Sequence, residues 1–127
     1  MYWLRDFYKD KQIVILFKIY YALFKTYKIG ENYMNEKIIE LLKNLQSIED
    51  LNIKGAKDYF LEKAQLEQLY IYVNSSITIL DSLRIFNNES LKQVAFNMSM
   101  IQLNENSDFS VLQNYIDESR NILESFL

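Results

Sequence analysis

Almost nothing in this chain of 127 residues can interrupt a helix, for it has no proline and only two glycines. Proline removes a backbone donor and clashes with the preceding turn, and glycine costs about 1 kcal/mol per helical position relative to alanine. Tight turns between strands lean on the same two residues. A chain this poor in both, with 50% hydrophobic residues, is suited to long helices packed on a common core.

Two further absences remove chemistry. Without histidine there is no side chain whose ordinary pKa sits near neutrality. Without cysteine there is no thiolate nucleophile, disulfide or zinc-binding thiol. Ser–His–Asp triads, Glu-x-x-His di-iron sites and HExxH zinc sites are therefore excluded. Gly30 and Gly55 stand in no GxGxxG or GxxxxGKS context, so no phosphate-cradling loop is present. Glu36 with Glu40, and Asp58 with Glu62, share helical faces, but acids spaced i, i+4 are ordinarily solvated surface. The sequence predicts a non-enzyme with no catalytic residue, no metal site and no cofactor.

The net charge of −3 hides a split. Residues 1–30 carry six basic and two acidic side chains, a balance of +4, whereas 31–127 carry eight basic and fifteen acidic ones, a balance of −7. An acidic body repels phosphate backbones, which argues against direct nucleic-acid binding and for a basic protein partner. The abundance of Ile, Lys, Asn, Tyr and Phe reflects AT-rich coding DNA, as in a low-GC bacterium, its phages or its plasmids. The lack of cysteine fits a cytoplasmic protein.

The run Ile13 to Phe24 is too short to span a bilayer core, which needs about 20 residues, and Lys18 interrupts it. No small-residue cleavage site follows it. Wound as a helix, it aligns Lys11, Lys18 and Lys25 at seven-residue spacing with Lys28 one turn on, a basic stripe on an apolar cylinder. Two readings stay open: an interfacial or docking helix, or a core helix whose lysines reach solvent along one wet edge. Residues 30–34 can also be encoded by a ribosome-binding sequence followed by ATG. Residues 1–30 contain no Asn, Ser or Glu, all abundant afterwards. Met34 is accordingly expected to be an alternative start, with 1–33 an extension before the acidic bundle 34–127.

From Asn35, placed to cap a helix, Ile38, Leu41, Leu42, Leu45, Ile48 and Leu51 recur at steps of three and four. Residues 52–55 supply the first turn signal. A second stripe runs through Tyr59, Leu66, Tyr70, Val73, Ile77 and Leu80, and 69–86 is apolar on nearly every face, as a central helix would be. Within it Asp81 is expected to be shielded and paired with Arg84. Asn87, Asn88, Glu89 and Ser90 end one helix and cap the next, whose stripe is Leu91, Val94, Ala95, Met98 and Ile101. Ser107 or Asp108 caps the last, which buries Phe109, Leu112, Tyr115, Ile116, Ile122, Leu123 and Phe126, with Ser119 a small gap. Lys63 with Glu67 and Arg120 with Glu124 are expected surface pairs.

The pattern predicts an all-α fold: an antiparallel four-helix bundle over about 35–51, 56–86, 88–103 and 108–127, with an additional N-terminal basic-apolar helix. The alternative is an α+β fold with a small sheet from 13–21, 69–73 and 77–80, since β-branched residues flank 74–76. Ten tyrosines exceed what such a core holds comfortably, because each buried hydroxyl needs a partner. One of Tyr70 and Tyr72 is therefore expected to be accessible. The expected partner-binding residues are Tyr72 with the acids Asp58, Glu62 and Glu67, and the lysines Lys11, Lys18, Lys25 and Lys28.

Small helical immunity proteins are similar to this chain in size and helicity alone, and no motif assigns it to a family. The function expected is an inhibitor or regulator, of toxin-immunity or anti-defence type, whose carboxylates occupy a basic partner such as a toxin or a nucleic-acid-binding defence enzyme. Two alternatives stand beside it. One is a membrane-peripheral protein using the lysine stripe of 1–30. The other is a structural homo-oligomer using leftover apolar faces such as Tyr2, Trp3, Phe7 and Tyr8.

Overall fold

The computed structural model describes residues 32–106 and 108–127. The chain divides into two compact units, Met1–Met34 and Asn35–Leu127, and the architecture below is that of the second. The N-terminal helix expected over 1–33, apart from 32 and 33, lies outside the described residues. So do Lys11, Lys18, Lys25, Lys28, the strand segment 13–21 and Ser107.

Four α-helices pack against one another with no strand among the described residues, as the apolar periodicity predicts. Helix α1 covers 32–58, α2 Lys63–Ser82, α3 Glu89–Leu103 and α4 Phe109–Glu124, with a 3-10 turn at Arg84–Phe86 between α2 and α3. Connections this short make successive helices antiparallel. From Asn52 back to Glu49 on α1, the α4 partner advances from Phe109 to Arg120, so these two helices also run in opposite directions. Segments 69–73 and 77–80 lie inside α2, which rules out two of the three strands in the alternative fold. Within α2 the Ser76 and Thr78 hydroxyls donate to the carbonyls of Tyr72 (2.8 Å) and Asn74 (2.9 Å). The Ser76 and Thr78 hydroxyls are thus satisfied without leaving the helix.

The core is one stripe per helix. Ile38, Leu41, Leu45, Ile48 and Leu51 of α1 are buried against Leu69, Val73 and Leu80 of α2, Leu91, Val94, Met98 and Ile101 of α3, and Leu112, Ile116 and Leu123 of α4. Asn88 caps α3, its Oδ1 accepting from the Leu91 N–H at 3.1 Å. Asp108 caps α4, accepting from the Ser110 and Val111 N–H groups at 3.0 and 3.3 Å. The Ser110 hydroxyl bond, with the backbone bonds, holds this carboxyl below its usual range.

Besides the start of α2, expected at 56 and found at Lys63, three boundaries differ from the sequence reading. Asn35 caps nothing, because the chain is already helical at 32. The turn expected at 52–55 is helical too, and α1 ends only at 58. The buried stripe of α1 continues beyond its last apolar residue through Asn52 and Gly55, both buried. There the Phe109 ring of α4 lies against α1: a Cβ added at Gly55 would sit 2.7 Å from its Cζ. Glycine serves here as the residue that makes room for a ring. The third difference is at the end of α2, where the helix stops at Ser82 and the chain tightens through the 3-10 turn to Asn87. Helix α2 is also not central. Ile71 and Ile85 are exposed, and Asp81 and Arg84 form a solvent-facing pair at 3.6 Å rather than a shielded one.

A polar seam joins α1 to α4 beside that close approach. Asn52 Nδ2 donates to the Phe109 carbonyl (2.9 Å) and to Gln113 Oε1 (3.0 Å), and Gln113 Nε2 donates to Glu49 Oε2 (2.8 Å). Arg120 Nη1 donates to the same carboxylate at 2.8 Å. Arg120 thus reaches across to α1 and lies 3.8 Å from Asp117, instead of forming the expected pair with Glu124. The Arg120 bond lowers the Glu49 pKa; burial opposes it, and the Gln113 bond reinforces it.

Two outcomes follow from these contacts. Gly55→Ala should stabilise a Phe109→Ala background by about 1 kcal/mol of helix propensity. In the native background the same change should be less favourable by about 1 kcal/mol or more, because the ring must move. Urea denaturation of the four chains of this double-mutant cycle measures the coupling. Glu49→Gln should cost about 2 kcal/mol at neutral pH, the value of a charge-assisted hydrogen bond. Since the folded-state pKa is depressed, that contribution is complete above the ordinary value of 4.5 and is lost as pH falls through the folded value. The wild-type and Glu49→Gln stabilities should therefore converge in acid.

Candidate functional site

Positive φ angles bring out one end of the bundle. Among the described residues the non-glycine residues with positive φ are Tyr59 (φ 69°) and Asn106 (φ 59°) at this end and Asn87 (φ 47°) at the other. Asparagine enters the left-handed region readily, but tyrosine there is strained by about 1–2 kcal/mol. Tyr59 follows the last residue of α1, a position where glycine normally relieves this strain. Its side chain is 89% exposed, so packing does not compensate. Backbone strain at a nearly naked aromatic makes this position a candidate for function.

The surroundings of Tyr59 are built by two turns. The α1–α2 connection, 59–62, and the α3–α4 connection, 104–108, are tied by Asn106, whose Oδ1 accepts from the Leu61 N–H at 2.7 Å. Leu61 is buried beneath them as a plug, while Phe60 and Leu103 at the same end remain exposed. Helix α2 starts from Glu62, whose N–H donates to Gln65 Oε1 at 2.9 Å in a capping box. An open concavity of about 490 Å³ runs along the first turns of α2, lined by Lys63, Leu66, Glu67, Tyr70, Ile71 and Glu105.

No ion pair forms among the charged side chains of this end in the described residues. Glu40, Glu49, Asp81, Glu89 and Asp117 each have a cationic partner within 4 Å. Asp58, Glu67 and Glu105 have none among the described residues, and Lys63 does not form the expected pair with Glu67. Lys54 and Lys57, on the last turns of α1, are also exposed here.

Of the residues singled out from sequence, Asp58, Glu62 and Glu67 come together at this end, all exposed. Tyr72 does not join them. It is half-buried, and two residues' rotation places it on the opposite side of α2 from Tyr70, which lines the concavity and is 52% exposed. Sequence reasoning missed Tyr59, Phe60 and Glu105, having assigned Tyr59 to a buried stripe. The available signal was the aromatic pair Tyr59-Phe60 directly after Asp58, too polar a setting for a core position. Among the described residues no group of three acids is placed to hold a metal ion. No helix among them is long and apolar enough to cross a membrane. No protein-family model, curated protein or solved structure matches the chain.

Tyr59→Gly tests whether the strain is real. Relief of the left-handed penalty exceeds the added chain entropy, so the variant should be more stable by about 0.5–1 kcal/mol. A lower urea midpoint would instead assign the ring a packing role.

Proposed function

We propose that this chain is a non-enzymatic binding protein that works by covering a basic partner. The reading is of an inhibitor or regulator, of toxin-immunity or anti-defence type, acting in the cytoplasm of a low-GC bacterium or encoded by its phage or plasmid. The observation that carries it is Tyr59: strained, nearly fully exposed, and adjacent to Asp58, which has no ion-pair partner among the described residues. Tyrosine is a common energetic anchor at interfaces, giving apolar contact and a hydrogen bond at small conformational cost. Carboxylates around it can take the place of phosphates on a cationic groove and speed encounter electrostatically. A binding role also fits a chain with neither imidazole nor thiol.

Affinity capture with the tagged full chain from its native host, or from a phage-infected culture, tests the proposal. A basic protein should be retained by the wild type, enriched above an acidic helical bundle of equal size, and lost with Tyr59→Gly or Asp58→Lys. The captured pair should associate about tenfold more slowly, or slower still, when salt is raised from low to physiological strength. Equal enrichment on the control bundle defeats the reading.

A further inference from the structure

Resting on that reading, we infer that the concavity along α2 receives a cationic amphipathic helix of the partner, its apolar side chains seated on Leu66, Tyr70 and Ile71 and its Lys or Arg side chains meeting Glu67 and Glu105. Three observations select this occupant. The first is the shape and lining. The concavity is open, and its floor is one face of a helix, with Leu66, Tyr70 and Ile71 spaced i, i+4 and i+5. A small molecule there could not bury most of its surface, as ligands in true pockets do. A helix laid alongside α2 can, through ridges of side chains set into the groove.

The second is the backbone. Among the described residues there is no strand, hence no free sheet edge on which an extended peptide could gain main-chain hydrogen bonds. An occupant must satisfy its own peptide groups, and a helix does so.

The third is charge. Glu67 and Glu105 border the apolar floor, and neither has a cationic partner among the described residues. Lys63 is the one basic residue in the lining, leaving the rim acidic by one charge. Helix α2 has no basic residue after Lys63, and α3 has no charged residue after Lys92. A second copy docking through this same groove would set the same carboxylates against each other, and an anionic lipid surface would be repelled. A cationic helix complements both the floor and the rim. Ile71, 62% exposed, would be covered by it.

The probe is a synthetic peptide of about 18 residues, with Leu and Phe on one helical face and Lys and Arg flanking them, labelled for fluorescence anisotropy against the full chain. Two control peptides carry Glu for every Lys and Arg, or the same composition with the apolar face scrambled. The amphipathic cationic peptide should bind, and both controls should bind at least about tenfold more weakly. Glu67→Lys with Glu105→Lys, and separately Ile71→Asp, should each weaken it about tenfold or more. Glu118→Lys with Glu124→Lys alters the net charge equally on α4 and should leave binding within about twofold. These positions are exposed, so circular dichroism should show unchanged helicity. Absence of binding, equal binding of the scrambled peptide, or equal loss with the α4 pair overturns the inference. If the groove variants leave peptide binding intact while Tyr59→Gly still abolishes capture of a host protein, the groove inference falls and the proposed function stands.

Discussion

The close approach of α1 to α4 at Gly55 is the constraint on which the rest of the bundle depends. Helices pack about 8–10 Å apart when ordinary side chains meet, and closer only where one contributes almost nothing. Gly55 admits the Phe109 ring, the first residue of α4, against the α1 backbone. Asn52, one turn earlier, takes hold of the carbonyl of that same Phe109. The start of α4 is therefore pinned twice, by shape and by hydrogen bond, and its cap at Asp108 lies one residue away. With α4 set in register, Gln113 and Arg120 come opposite Glu49, and Ser119 comes opposite Asn97 of α3, which donates to it at 3.1 Å in the buried middle of the bundle. A polar pair in an otherwise apolar layer tolerates few alternative registers, because a slip would leave both groups unsatisfied.

The same residues show what the sequence could and could not reveal. Asn88 and Asp108 were readable as caps because capping is local chemistry, decided within three residues. Asn52 and Gly55 carry the same residue types as a helix end, yet they lie inside a helix. Propensity registers that asparagine and glycine disfavour helix, but not that a partner helix needs a donor and a gap at those points. The buried steps from Ile48 to Asn52 to Gly55 keep helical spacing, so the signal persists once polarity is disregarded. Asn97 was invisible for a related reason. Its burial is justified by Gln93, one turn before it, and by Ser119, 22 residues away in the sequence.

Helix α2 illustrates the opposite ambiguity. An apolar residue on an unexpected face means either burial in a larger core or exposure for later use, and periodicity does not separate the two. The core needs only Leu69, Val73, Ser76 and Leu80 from this helix. Tyr70 and Ile71 are surplus to it, and the two remaining neighbours in the bundle, α1 and α3, leave their side open. The acids Asp58, Glu62 and Glu67 were found from sequence because they fall within ten residues around one chain reversal, so any fold that turns there gathers them. Glu105 belongs to another connection, and only the bond from Asn106 to Leu61 brings that turn alongside.

Exposed apolar side chains are common on folded proteins and mean little one at a time. What distinguishes the α1–α2 end is that independent costs coincide there. Tyr59 carries backbone strain that a glycine would remove, Leu103 is 79% exposed at the end of α3, and four acids there, Asp58, Glu62, Glu67 and Glu105, have no cationic partner among the described residues. Each cost is small, and a surface shaped by folding alone would lose them in turn, since single substitutions suffice. Arg120 shows that the bundle can neutralise an acid across a helix interface where stability requires it. The proposed partner-binding role rests on this coincidence of unpaired carboxylates with aromatic side chains left in water. A partner with the opposite charge and an apolar face is the chemistry that recovers all of these costs at once.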